Sequence, residues 1–150
     1  SGADQIGFTV ATVTGSKLGP IHKIASGGEL SRFMLALRVV IASAGHAGTI
    51  VFDEIDSGIG GAVADAVGQR LARLSSSVQV LVVTHQPQIA ARASHHFQVS
   101  KPGRNGKIST RVEKLSHEKR IEEVARMLAG ARVTDEARAA ADRLILEAES

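Results

Sequence analysis

TIVFDEIDSGIGGAVADAVGQRLARLSSSVQVLVVTH, residues 49–85, decides the fold. It opens with an apolar run, TIVF, that stops at two acids, Asp53 and Glu54. It closes with a second apolar run, VQVLVVTH at 78–85. Short uninterrupted apolar runs rich in β-branched residues predict strands covered on both faces, as in a parallel sheet. Between them lie a glycine-rich loop, SGIGGA, and a helical stretch over 62–74 in which Gly68 is a weak point. Pro87 suits the first turn of a further helix, continued by QIAARA. Strand–helix–strand–helix order over 49–94 implies a right-handed parallel βαβ unit in an α/β fold. Ligands of such sheets bind at the carboxyl ends of the strands. One strand ends there in Asp53 and Glu54, the other in Thr84 and His85.

Upstream, KIASGGELSRFMLALRVV (23–40) places a Ser and two glycines before an apolar helical pattern. Ser26 and Glu29 have capping-box spacing, and Leu30, Phe33, Met34, Leu37 and Ile41 recur on one face. Before it, residues 5–13 read as a strand, 14–20 as a turn and 21–25 as extended. Downstream, HHFQVSK and KISTRVEKL suggest a hairpin around PGRNG. Two helices follow. Ser116 caps the first and Gly130 closes it, while Thr134 with Asp135 and Glu136 opens the second. No internal repeat or long linker divides residues 1–150, which suit one domain.

Composition narrows the class. With 43% hydrophobic and 22% charged residues, the chain reads as globular. Aromatics are 3%, with no Trp or Tyr, which argues against a stacking platform for single-stranded nucleic acid. The absence of Cys excludes disulfides and thiolate metal sites and suits a reducing compartment. No basic segment leads into an apolar run near the N-terminus, and no apolar stretch approaches about 18 residues. A cytoplasmic protein without a membrane partner is therefore expected. The net charge of +3 is mild and lies in no block of like charges.

The strand ends carry the chemistry. A carboxylate at a buried strand end must be solvated, paired or metal-bound. Mg²⁺ keeps several waters and takes one carboxylate plus a nucleotide phosphate, a role that suits Asp53. Glu54 projects the other way and would reach a water beyond the terminal phosphate as general base. His85, on the neighbouring strand, is either a structural histidine or a donor to that phosphate. The helix N-terminus at Ser26, Gly27 and Gly28 offers free N–H groups and a partial positive charge to an anion, or is simply capped by Glu29. His95 and His96 are adjacent on a strand, point to opposite faces and do not readily chelate one metal. A G-x-x-x-x-G-K-[ST] cradle is missing, TGSKLG at 14–19 being the nearest stretch. The chain thus reads as half a nucleotide site.

Taken together, SGGEL, TIVFDE, DSGIGG and VTH resemble the signature, Walker B, D-loop and switch-histidine motifs of an ATP-binding-cassette ATPase head of the chromosome-maintenance (SMC-like) kind, in family order. From about residue 20 to the end, the wording is similar to a bacterial DNA-repair branch of that family. The resemblance implies the C-terminal lobe of a P-loop NTPase head, with the P-loop lobe and coiled coil lying N-terminal to it. It implies two heads sandwiching ATP and Mg²⁺, each signature touching the nucleotide held by the other. Ser26, Gly27, Gly28 and Glu29 would then form the trans phosphate contact. Asp53 would hold Mg²⁺, Glu54 would act as base, and His85 would sense the γ-phosphate. Asp56, Ser57 and Gly58 would make the dimer-contacting D-loop.

The partners implied are a second copy of the head, its own N-terminal lobe and DNA, with broken ends as the expected site of action in the nucleoid. The lone lobe is expected to be inactive. The nucleotide-binding half of a transporter is a rival that the tail helices argue against, and two other readings stay open. One is a head from another SMC-like ATPase. The other is a non-catalytic DNA-binding clamp that uses Lys101, Arg104, Lys107 and Arg111 near the hairpin.

Overall fold

The structure is a computed structural model that describes residues 2, 7–11, 14–21, 36–37, 40, 48–53, 55–56, 58–101, 103–104 and 107–149. Its centre is the expected βαβ unit. Strands β3 (Thr49–Asp53) and β4 (Gln79–Val83) pair in parallel, with Thr49 opposite Gln79 and Asp53 opposite Val83. Helix α1 (Gly61–Leu74) connects them. It stops at Ser75–Ser77, whose hydroxyls donate to the carbonyls of Ala72, Arg73 and Leu74 at 2.7, 2.8 and 3.1 Å. These bonds satisfy acceptors that the end of a helix leaves open.

Phe52 packs with Ile55, Ile59, Ala64, Leu71, Leu74 and Ile89, and Ile50, Val80 and Val82 pack against that cluster. Each large side chain buried in it contributes about 1.5–3 kcal/mol. The opposite sheet face differs from the expectation of two covered faces: Val51, Leu81 and Val83 stand exposed there. An uninterrupted apolar run does not distinguish a face covered by the crossover helix from one left open by the described residues.

The second helix is shorter than expected. Helix α2 (Pro87–Ala90) starts at Pro87 but ends within a turn. Its closing carbonyl, Ala91 O, accepts from Arg120 Nη2 at 2.6 Å. Gly68 in α1 sets how closely α2 approaches. A Cβ there would lie 2.9 Å from Arg92 Cδ, 3.2 Å from Gln88 O and 3.4 Å from Ile89 Cα. Its weakness as a helix former is therefore the condition for the contact between α1 and α2. Gly68→Ala should gain about 1 kcal/mol of helix propensity and lose more to overpacking, which costs about 1–3 kcal/mol. A lowered Tm is expected on thermal unfolding. An unchanged or raised Tm would show that α2 withdraws without cost.

The tail forms a second core. Helices α3 (His117–Ala129) and α4 (Asp135–Glu149) bury Val124, Ala125, Ala141 and Ile145 together with Ala91. Lys119 N–H donates to the Ser116 hydroxyl, Gly130 ends α3 at φ 76°, and Ala137 N–H donates to Thr134. These are the expected caps. Ahead of the tail, β5 (Phe97–Ser100) pairs antiparallel with β8 (Arg111–Lys114). Between them β6 (Gly103–Arg104) pairs with β7 (Lys107–Ile108), which completes the expected hairpin. Near the N-terminus, β1 (Thr9–Val10) pairs with β2 (Gly19–Pro20), a shorter element than the strand expected over 5–13. Of the expected helix from Ser26, only Ala36, Leu37 and Val40 are described, and all three are helical.

Candidate functional site

The parallel register brings the carboxyl ends of β3 and β4 side by side. Asp53 is exposed at the end of β3, opposite Val83, and His85 follows two residues beyond Val83. Alternation puts Asp53, Val51, Leu81 and Val83 on one face and Phe52 on the other. The chain after Asp53 turns inward. Ile55 and Asp56 are buried, and Ile59 N–H donates to Asp56 O at 3.2 Å to close a turn. Gly58 takes φ 76° within this turn, a conformation that side chains disfavour.

Asp56 is 1% exposed, and its Oδ2 gathers the neighbouring loop. It accepts from the Thr84 hydroxyl at 2.5 Å, from His85 N–H at 2.8 Å and from Gln86 N–H at 3.2 Å. The same oxygen lies 3.1 Å from His85 Nδ1. Burial is the largest single influence on this carboxyl and opposes its charge. The hydrogen bonds from Thr84, His85 N–H and its own backbone N–H, with the nearby His85 ring, together outweigh burial and hold its pKa below the usual value. An ionised carboxylate thus ties residues 55–60 to residues 84–86.

The His85 side chain is 74% exposed, so its ring edge reaches solvent from a buried anchor. Gln86 forms a second tie. Its Nε2 donates to Ile59 O at 2.9 Å and lies 3.5 Å from His85 Nε2. Gln86 N–H also donates to the Thr84 hydroxyl at 3.0 Å. Sequence reading singled out Asp56 for a dimer contact and missed Gln86. Within this chain the Asp56 carboxylate faces inward. The available signal was the polar triplet Thr84–His85–Gln86 between an apolar strand and Pro87.

Ser26, Gly27, Gly28, Glu29, Glu54 and Ser57 lie outside the described residues. Asp53, Asp56, Gly58 and His85 are described and share one end of the βαβ unit. His95 and His96 sit elsewhere, at the base of the hairpin. Burial, with the charge of Arg120 and against that of Glu123, pushes the His96 pKa down. Among the described residues no three His, Cys, Asp or Glu side chains gather to hold a metal. An exposed single carboxylate at Asp53 fits a hydrated Mg²⁺ shared with phosphate. No helix among the described residues is long and apolar enough to cross a membrane.

Known proteins resemble this sequence over nearly all of its length. A DNA repair protein RecN from Xylella fastidiosa (strain 9a5c) is 47% identical over 147 residues, 98% of this chain and 26% of that protein. The chain is RecN-like. RecN of Bacillus subtilis (strain 168) is 40% identical over 148 residues, and RecN of Mycobacterium leprae (strain TN) is 48% identical over 144. The chain covers 26% and 24% of those two proteins. It therefore spans about a quarter of the length of the relatives it matches, and corresponds to their C-terminal part. No family model matches.

A solved structure from work on ATP-driven dimerization and DNA-stimulated activation of SMC ATPases superimposes with a TM-score of 0.64. It is 26% identical, with 79% of this chain and 70% of that one covered. The RecN-like chain thus shares the fold of the C-terminal lobe of an SMC ATPase head, as the four motifs implied.

Proposed function

We propose that the RecN-like chain is the C-terminal lobe of an ATP-hydrolysing head that dimerises around ATP and acts in DNA double-strand break repair. The observation that carries this reading is the shared end of β3 and β4, where Asp53 and His85 flank a loop anchored by Asp56. In this reading Asp53 holds Mg²⁺, which supplies charge neutralisation at the phosphates. Glu54 takes a proton from the attacking water, and His85 contacts the γ-phosphate. Ser26, Gly27, Gly28 and Glu29 touch the nucleotide of a second head, and Asp56, Ser57 and Gly58 form the loop next to the dimer seam. Catalysis then rests on positioning and charge stabilisation, with all the parts present only after closure.

Two exposed apolar faces support a partner lobe in the same protein. Val51, Leu81 and Val83 line one, and Phe97, Val99 and Val112 line the other, on the hairpin. Exposed apolar patches of this kind mark interaction surfaces. An N-terminal lobe bearing the P-loop fits them, because the relatives extend well beyond the matched region. DNA, with broken ends as the site of action, is the further partner in this reading.

Ser26→Arg tests the trans contact in the full-length protein. A long cation at the signature helix blocks close approach of the second head, while folding of each monomer is retained. Sedimentation with ATP should then show monomers where the wild type shows dimers. Unchanged dimerisation would sink the trans role of this helix.

A further inference from the structure

The nucleotide reading leaves one question at its own site, namely the state of the His85 ring. A neutral imidazole has one N–H and one lone pair, and its neighbours decide which nitrogen holds the proton. Asp56 Oδ2, 3.1 Å from Nδ1, belongs to a carboxylate held ionised by Thr84 and backbone N–H groups, so it only accepts. An acceptor-only oxygen beside Nδ1 favours a proton on that nitrogen. The other edge agrees with this. The Gln86 amide has two N–H groups, of which one donates to Ile59 O, and its nitrogen lies 3.5 Å from His85 Nε2. An amide N–H facing Nε2 suits a lone pair. The nucleotide-free network thus assigns the Nδ1–H tautomer.

That assignment constrains what happens at a phosphate. A phosphate oxygen only accepts, and a lone pair at Nε2 repels it. We propose that Asp56 is a positioning residue for His85: its carboxylate retains the Nδ1 proton, and Nε2 meets the phosphate oxygen only after taking a proton from solvent. The ring is then an imidazolium between two anions, with Asp56 as its buried counter-ion and the phosphate displacing the Gln86 amide. Among the described residues, Asp56, from the loop after β3, is the one charged group that faces the ring. Thr84 and Gln86 complete the surround as neutral groups. The proposal rests on the γ-phosphate role of His85, and loop 55–60 becomes the element that communicates with it.

The test is nitrogen NMR of histidine-labelled full-length protein, with and without a non-hydrolysable ATP analogue and Mg²⁺. His85 is identified by its loss in His85→Ala. Without nucleotide, a protonated Nδ1 and a lone-pair Nε2 are expected. With the analogue, both nitrogens should be protonated. Asp56→Asn keeps the shape and removes the charge. It should shift the free ring toward Nε2–H and lower kcat about tenfold or more, the range of outer-shell changes that orient a working group.

Gln86→Ala leaves the Asp56 anchor in place and should keep the Nδ1–H tautomer, which serves if Asp56→Asn does not fold. An Nε2–H ring in the wild type, a Gln86→Ala ring that changes tautomer, or a neutral ring with the analogue bound would overturn the proposal. Full ATPase activity in His85→Ala would instead remove the phosphate role. The free-ring tautomer would still report on Asp56.

Discussion

Glu54→Gln in the full-length protein is expected to retain ATP binding, slow hydrolysis by about 10²- to 10⁴-fold and accumulate ATP-bound dimers. The amide keeps the shape and hydrogen-bonding reach of the carboxylate but cannot take a proton from water at neutral pH. Binding depends on phosphate contacts and Mg²⁺, which the substitution leaves alone. Closure therefore still occurs, while the step that reopens the dimer is slowed. Single-turnover hydrolysis and sedimentation with ATP measure the two halves separately. Wild-type turnover in this variant would remove Glu54 from the role of base.

Asp56→Ala is expected to have the largest effect on folding among single changes at this site. The substitution strands His85 N–H, leaves the Thr84 hydroxyl without its acceptor and opens a small cavity among buried residues. Each buried polar group left unpaired costs about 1–3 kcal/mol, so a total of about 3 kcal/mol is expected. For a chain of 150 residues that corresponds to a Tm lower by roughly 6–12 °C.

The effect should depend on pH in a stated direction. The folded-state pKa of Asp56 is lowered, so its stabilisation is present above the unfolded carboxyl value, about 4, and is lost as pH falls through the folded value. The Tm gap between wild type and Asp56→Ala should be wide at pH 7 and narrower near pH 3. A gap of constant width would mean that charge on Asp56 does not stabilise the loop.

The parallel βαβ unit was legible because its signals are local. The two apolar runs, the intervening helix and Pro87 each lie within a few residues and carry their own periodicity or backbone restriction. The caps at Ser116, Gly130 and Thr134 were legible for the same reason. Two features lay beyond local inference. The strands were expected to be covered on both faces, and within this chain Val51, Leu81 and Val83 stay exposed on the face assigned above to the partner lobe. QIAARA was expected to stay helical, but α2 ends at Ala90 and the Ala91 carbonyl accepts from Arg120, 29 residues on. In both cases the deciding contact, made or missing, lies far away in the chain.

The site divides along the same line. Sequence by itself determined which chemistry-bearing residues stand at the ends of β3 and β4, because an acid or imidazole after an apolar run is a feature of neighbours in the chain. Only the tertiary structure decided what Asp56 does. Its bonds reach across 28 to 30 residues to Thr84, His85 and Gln86. The same carboxylate would be a surface contact if the loop faced outward and is an internal anchor because it faces inward. Composition and spacing carry no record of that choice, since it arises when the turn after β3 closes against the end of β4 and takes the carboxylate out of water.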